Sequence, residues 1–337
     1  MTTGTAPAAI AVSALRKAFG EKTVLDGIDF TVPPGHIWSL LGPNGAGKTT
    51  AVQILSTLIR PDSGSVRVAG HDVLQEADAV RRVIGVTGQF AAVDDMLTGQ
   101  ENLLLMGDLH RLDRPSARRR AAELLERFDL TADEARRTAS TYSGGMRRKL
   151  DLAMTLMGDP SIVFLDEPTT GLDPRSRHAL WQIVRDLAAD GVTMFLTTQY
   201  LEEADQLADT VAVLDSGRLV AEGTPQELKR GIPGAHVLLT FDTIAALDDA
   251  VRAVGDGATR DHKELSLRVP TDGGAGSLRE LLDRLDETSV SPAGLSVHTP
   301  DLNDVFLTLT GRPHQQRDGA STGLADTGKP EHEGASR

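Results

Sequence analysis

One eight-residue stretch constrains this chain more than any other. Gly42-Pro-Asn-Gly-Ala-Gly-Lys-Thr49 fits the spacing G-x-x-x-x-G-K-[ST]. It follows a compact apolar run, His36-Ile-Trp-Ser-Leu-Leu41, and precedes a helical run from Thr50 to Leu58. A strand, a glycine-rich turn and a helix in that order is the setting in which this spacing binds phosphate. The glycines permit backbone angles that point several N–H groups inward as an anion nest. The helix that follows adds its positive end. Lys48 can reach β- and γ-phosphates, and the Thr49 hydroxyl can hold Mg²⁺. A turn of this composition with no ligand is the alternative, but a chance match is on the order of one per cent. Gly42, Pro43, Asn44, Gly45, Ala46, Gly47, Lys48, Thr49 and Thr50 are therefore candidate nucleotide contacts.

Phosphate chemistry needs a metal and a base beside the cradle. Ile162-Val-Phe-Leu-Asp-Glu167 puts two carboxylates at the end of an apolar strand. Asp166 suits Mg²⁺, directly or through water. Glu167 suits polarisation of an attacking water as general base. Alone, such a pair is a solvated loop entrance; next to a phosphate loop it is the expected second half of the site.

A phosphate loop alone leaves many nucleotide hydrolases open. Tyr142-Ser-Gly-Gly-Met-Arg-Arg148, about twenty residues before the acidic strand, narrows them, because it resembles the signature of ABC ATPases. Other stations follow in the order of that family. Gln89 in Thr87-Gly-Gln-Phe90 resembles the Q-loop glutamine, and Asp173 in Gly171-Leu-Asp173 the D-loop aspartate. Phe19 in Lys17-Ala-Phe-Gly20 stands where the family stacks an aromatic on adenine. The match runs from about residue 10 to 224.

The resemblance implies an ABC-type P-loop NTPase core of the α/β class with an inserted helical subdomain, and ATP hydrolysis coupled to transport. It implies a head-to-tail homodimer. ATP would lie between Lys48 of one copy and Ser143, Gly144 and Gly145 of the other, with Asp173 reporting on the opposite site. Mg²⁺ would be held by Thr49, Gln89 and Asp166, and hydrolysis carried by Glu167, Lys48 and Gln199. An integral membrane permease is the implied partner.

Two departures stand out. Tyr142 and Met146 flank the Ser-Gly-Gly where the family usually has Leu and Gln. Thr197-Thr-Gln-Tyr200 places Gln199 where most members carry a switch histidine. Glutamine donates and accepts hydrogen bonds but carries no charge near neutral pH. Together with Thr-Thr-Gln-Tyr-Leu-Glu-Glu-Ala-Asp205 and Pro300-Asp-Leu-Asn-Asp-Val-Phe306, these departures resemble the daunorubicin-resistance subfamily of bacterial ATP-binding subunits. The implied role is powering export of a hydrophobic drug or antibiotic through a separate ABC-2 type permease. Export of a lipid or polysaccharide is the alternative. A soluble ABC ATPase acting on ribosomes or DNA is a third reading. It is disfavoured by a single cassette, no cysteine and no sustained heptads.

Composition bounds these readings. With 35 basic and 48 acidic residues the net charge is −13, which argues against coating nucleic acid. The absence of cysteine excludes disulfides and thiolate chemistry. No apolar run approaches the roughly 20 residues that span a bilayer. The start shows no basic segment followed by a long apolar stretch. The expected place is the cytoplasmic face of the cell membrane, peripheral, through the permease.

The chain divides by pattern. Residues 8–225 read as the ATP-binding domain, with 89–142 as its helical subdomain, where Leu103–Leu109 and Ser116–Phe128 look helical. Ile162–Leu165 and Val192–Leu196 read as buried parallel strands, and Leu180–Ala189 as the amphipathic helix between them. Residues 231–311 read as a small α/β appendage with a regulatory or assembly role. Its strands are expected at His236–Phe241, Leu265–Val269 and Leu295–His298. Its helices are expected at Ile244–Val254, Ser277–Leu285 and Leu302–Leu309. Residues 313–337 are polar enough to be disordered.

Overall fold

The computed structural model describes residues 7–311 except 90, 233, 256, 273 and 289. The tail at 313–337 lies outside the described residues.

The chain opens with β1 (Ile10–Phe19), β2 (Lys22–Val32) and β3 (Ile37–Leu41), then α1 (Lys48–Leu55). Next come β4 (Ser63–Val68), β5 (His71–Asp72), α2 (Ala77–Val83) and β6 (Ile84–Thr87). Four helices follow: α3 (Gly99–Leu109), α4 (Arg114–Arg127), α5 (Ala132–Ala135) and α6 (Gly144–Thr155). The cassette closes with β7 (Ile162–Asp166), α7 (Pro174–Ala189), β8 (Thr193–Thr198), α8 (Leu201–Leu207), β9 (Thr210–Asp215), β10 (Arg218–Gly223) and α9 (Pro225–Arg230).

Two sheets build this cassette. One has six strands in the order β10-β9-β3-β8-β7-β6. Its β9, β3, β8, β7 and β6 run parallel, and β10 closes the edge antiparallel. β3, β7 and β8 are buried along their whole length because both faces are covered, as a parallel sheet requires. Trp38, Leu40, Phe164 and Phe195 pack on one face against α1 and the second sheet. Ile37, Val163, Leu165, Met194 and Leu196 pack on the other against the helices around α6 and α7.

The second sheet, β2-β1-β4-β5, is antiparallel. The sequence reading gave no separate sheet here. Its signal is broken because β1 changes register between Val12 and Leu15, where Ala14 takes a left-handed φ of 49°.

The helices of the inserted region are stopped and started locally. Thr98 and Glu101 form a reciprocal capping box at the head of α3. Asp113 caps α4, whose first turn carries Pro115.

Beyond the cassette lie β11 (His236–Thr240), α10 (Ile244–Val254), β12 (Thr259–Asp261), β13 (Ser266–Pro270), α11 (Ala275–Glu287), β14 (Gly294–His298) and α12 (Leu302–Thr310). The first six are a β-α-β-β-α-β unit with sheet order β12-β13-β11-β14, the ferredoxin-like arrangement. Val237, Leu239, Leu267 and Val269 alternate onto one face, which α10 and α11 cover. The sequence reading contains no strand at β12, since none of its three side chains is buried.

α12 is different. Its buried residues Leu302, Val305 and Phe306 join Leu41, Leu201, Ala204, Val211 and Val213 of the cassette. The last helix thus ties the appendage back onto the parallel sheet and α8.

Candidate functional site

Four neighbouring parallel strands deliver the predicted residues in one row. β3 ends in the glycine-rich loop, β8 before Gln199, β7 in Asp166 and Glu167, and β6 before Gln89. Adjacent strands stand about 4.8 Å apart, so loops at their carboxyl ends share one edge. Open α/β sheets bind ligands at that edge. The register levels the ends: Leu41 pairs with Thr198, and Asp166 with Thr197.

A cavity of about 470 Å³ lies along this edge. Phe19, Asn44, Gly45, Gly47, Lys48, Thr49, Thr50, Gln89, Glu167 and Gln199 line it. Gly42, Pro43, Ala46 and Asp166 are not part of the lining. Gly47 holds φ at 113°, and a side chain there would come within 2.8 Å of Leu25. Only glycine tolerates both the angle and the approach.

The centre of the site is a buried lysine. Lys48 is 5% exposed, and its ammonium donates to the carbonyls of Gly42 (2.8 Å) and Pro43 (3.1 Å). It also pairs with Glu167 Oε1 at 3.2 Å. Burial pushes the Lys48 pKa down, and the charges of Glu167 and Asp166 oppose that shift. A partly desolvated ammonium meets phosphate oxygens more strongly than a hydrated one.

Glu167 stands between Lys48 and Gln199. Its Oε2 accepts from the Gln199 amide at 3.2 Å and from the Thr170 hydroxyl at 3.3 Å. Its backbone is left-handed, with φ of 49°, a conformation that costs a non-glycine residue of order 1 kcal/mol or more. The N–H of Glu167 is fixed by the Thr197 carbonyl at 3.0 Å and the Thr197 hydroxyl at 3.2 Å. The same hydroxyl donates to Asp166 Oδ1. Strained backbone held by several bonds is a common property of residues that carry chemistry.

Ser143, Gly144, Gly145 and Asp173 do not line this cavity. Ser143 caps α6, accepting from the Met146 N–H at 3.2 Å, and is exposed along with Gly144. Asp173 caps α7 through the Ser176 N–H (3.0 Å) and hydroxyl (2.6 Å). Those bonds, the hydroxyl first, hold its carboxyl below the usual range. Gly145 meets α7 closely, since a Cβ there would lie 2.5 Å from Ser176 Oγ. Signature helix and D-loop helix therefore touch at their amino ends. Phe19 is 52% exposed, with the Lys17 ammonium 5.4 Å from its ring.

Sequence reasoning missed five contributors. Lys22, Val24 and Thr170 also line the cavity, and no motif marks them. Thr197 fixes the Asp166 carboxylate and the Glu167 backbone N–H. Arg148 is 8% exposed, and its guanidinium donates to the carbonyls of Pro168 (2.7 Å) and Gly88 (2.8 Å) and to Asp151 (3.1 Å). It thereby ties α6 to the bases of the Gln89 and Glu167 loops. No local signal marks it, since its burial depends on tertiary packing.

The appendage holds a larger cleft, about 740 Å³, between its sheet and α12. Among the described residues it has no phosphate loop and no buried charge, so size does not decide the site.

This strand-edge cavity, with its glycine nest and lysine, defines a P-loop nucleotide hydrolase. Comparison makes the class specific. The ABC transporter family profile matches residues 25–170. The daunorubicin resistance ATP-binding protein DrrA3 of Streptomyces coeruleorubidus is 48% identical over 94% of this chain and 100% of its own length. The Nod factor export ATP-binding protein I of Ralstonia nicotianae is 38% identical over 90% of this chain and 94% of its own. Among solved structures, a dimeric ATP-binding cassette with ADP and phosphate aligns with a TM-score of 0.58 at 25% identity, over 64% of this chain and 98% of that one. The chain belongs to the ABC transporter ATP-binding family, and it is an ATPase. Within that family it resembles the daunorubicin and doxorubicin resistance proteins along nearly its whole length. No helix among the described residues is long and apolar enough to cross a membrane.

Proposed function

We propose that this protein powers export of a hydrophobic drug or antibiotic through a separate ABC-2 type permease, from the cytoplasmic face of the cell membrane. The observation that carries this reading is the 48% identity to a daunorubicin resistance protein, which extends through the appendage as well as the cassette. The Nod factor relative, at 38%, keeps a second reading alive in which the cargo is a lipid or polysaccharide.

The residues fit the parts that phosphoryl transfer needs. The backbone of Gly42–Gly47 and Lys48 would cradle the β- and γ-phosphates, and Phe19 would stack on adenine. Thr49, Gln89 and Asp166 are hard oxygen donors suited to Mg²⁺, a cation that keeps waters and phosphate oxygens in its shell. That metal would neutralise phosphate charge. The Lys48–Glu167 pair gives binding a consequence. Phosphate oxygens would compete for Lys48, which leaves Glu167 free to polarise water. Gln199 would hold Glu167 and the γ-phosphate together through an uncharged amide donor. Exposed Ser143 and Gly144 at the head of α6 suit a second copy's γ-phosphate, with Asp173 nearby, so the working unit is an ATP-sandwich homodimer. The appendage, 231–311, is a regulatory or assembly unit outside the ATP site.

Glu167→Gln tests the chemistry. The amide keeps the shape and loses the basicity, so hydrolysis should fall by about a hundredfold or more while ATP affinity stays near normal. With Mg-ATP the variant should elute as a dimer in size-exclusion chromatography. Normal phosphate release would remove Glu167 from the role of base. Cargo is tested by drug efflux from cells co-expressing the chain and its membrane subunit, with Glu167→Gln as the dead control.

A further inference from the structure

Glu203 has no exposed surface at all and lies one helical turn past Gln199, on α8. Nothing in the chemistry above uses it. Its Oε1 accepts the Trp181 indole N–H of α7 at 3.1 Å. Its Oε2 has no hydrogen-bond partner, and neither has the buried Thr169 hydroxyl. The hydroxyls of Thr169 and Thr198 both lie close enough to act on the carboxyl without closing a bond to Oε2. Thr198 accepts the Tyr200 N–H at 2.9 Å, so its own proton remains to donate.

The three neighbours are not arbitrary. Thr169 is two residues past Glu167. Thr198 immediately precedes Gln199. Trp181 is on α7, whose head carries Asp173 and packs against Gly145. A second tie runs parallel to the first. Arg177, one turn before Trp181, pairs with Glu202 at 3.5 Å and lies 5.3 Å over the Tyr200 ring. Arg177 Nε is a third unpartnered buried atom.

A carboxyl without exposure is a poor stabiliser. Desolvation raises its pKa first of all, with the Thr198, Thr169 and Trp181 contacts opposing. An apolar side chain of similar volume would hold the same helices at no such cost. Buried polar atoms left without partners are uncommon and call for an explanation, and three of them, Glu203 Oε2, Thr169 Oγ1 and Arg177 Nε, belong to this one group.

We propose that Glu203 is a positioning residue for hydrolysis. It clamps the segment after Glu167, the segment before Gln199 and the α7 helix into one unit. The position of the catalytic pair is thereby transmitted to Asp173 and the signature helix. The proposal rests on the reading of Glu167 and Gln199 given above. The clamp works by placement of its oxygen and its second polar atom, so charge is not required.

The experiment uses the full chain with Mg-ATP. Phosphate release gives kcat, a fluorescent ATP analogue gives affinity, and a thermal melt checks folding. Glu203→Ala should lower kcat about tenfold or more and leave nucleotide affinity within about threefold, since Lys48 and the loop amides are untouched. Glu203→Gln keeps an acceptor for Trp181 and turns an amide donor toward the threonine hydroxyls, so it should keep at least about half of the wild-type kcat. Trp181→Phe removes the indole donor and should fall between them. The proposal is overturned if Glu203→Ala turns over within about twofold of wild type, or if kcat and affinity fall in parallel, as general loosening would give. It is equally overturned if Glu203→Gln is as slow as Glu203→Ala. Should Glu203→Ala not fold, a Trp181→Phe protein of wild-type kcat overturns it. Gln199→Ala, measured alongside, separates the two readings. A fast Gln199→Ala removes Gln199 from catalysis, while a slow Glu203→Ala beside it leaves the clamp acting through Thr169 on Glu167.

Discussion

The cassette and the appendage are both α/β, yet they bury different chemistry. In the cassette Lys48, Arg148, Asp151, Asp166 and Glu203 are all buried. In the appendage the one buried polar side chain among the described residues is Ser266. Burying an unpaired charge costs several kcal/mol, so charges go inside where something is gained from their desolvation or fixed position. The topology explains where. A parallel sheet covered on both faces brings four strand ends to one edge. The antiparallel unit has α10 and α11 on one face and the cleft against α12 on the other. The larger cleft belongs to the appendage, but the convergent charges belong to the cassette. Convergence of desolvated groups, not volume, marks the chemical site.

The largest test of that contrast is Lys48→Ala. The change removes the ammonium proposed to face the phosphates and also strips Glu167 of its cationic partner. ATP affinity should fall about a hundredfold, or turnover should vanish, while the protein stays folded. Nucleotide titration and circular dichroism report the two parts. Wild-type affinity in a folded Lys48→Ala protein would break the assignment of the cassette edge as the phosphate site.

Gln199→Ala should have a smaller effect. Hydrolysis should drop about tenfold, with ATP affinity nearly unchanged, because an uncharged amide donor adds less to phosphate binding than the Lys48 ammonium does. Glutamine does not titrate in the range where a histidine near 6.5 would. The wild-type rate should therefore show no limb centred there. Gln199→His should acquire one, because its ring is a charged donor below that pH and a neutral one above it. Rate-versus-pH series on the three proteins check this. A Gln199→Ala enzyme as fast as wild type makes Gln199 a bystander.

How much of this was readable beforehand depends on the range of the signal. The phosphate loop, the Asp166-Glu167 strand end and Gln199 are local patterns, and the structure brings Asn44, Gly45, Gly47, Lys48, Thr49, Glu167 and Gln199 onto one cavity lining, while Gly42, Pro43, Ala46 and Asp166 are not part of it. Whatever depends on tertiary placement was silent. Arg148 reads as one more basic residue until α6 lays it against the Pro168 and Gly88 carbonyls. Thr197 looks like strand filler until its hydroxyl meets both Asp166 and the Glu167 N–H. The left-handed backbone of Glu167 has no sequence mark, because no glycine stands there to announce it. The antiparallel sheet hid behind the register shifts of β1, which disrupt the alternation that a regular strand shows. α12 was visible as a helix, but its apolar residues do not say which half of the molecule they face.

That ambiguity gives the smallest expected effect on turnover and the closest test of whether the halves are separate. Phe306 is 3% exposed and packs with Leu302 and Val305 against Leu41, Leu201 and Val213. Neither the two main cassette clusters nor the appendage core includes it. Phe306→Ala should therefore loosen the seam alone, with a stability cost of about 3–5 kcal/mol if the cavity does not collapse. The appendage should become easier to cleave from the cassette by limited proteolysis, and thermal unfolding should begin earlier. ATP affinity should stay within about twofold, because Lys48 and the loop amides are held by β3 and α1 rather than by α12. One path argues the other way. Leu41 is in the seam and immediately precedes Gly42, and Leu201 lies two residues past Gln199. If Phe306→Ala lowers ATP affinity about tenfold or more, the seam and the phosphate loop are one cooperative unit, and the division drawn above between chemical cassette and separate appendage does not hold.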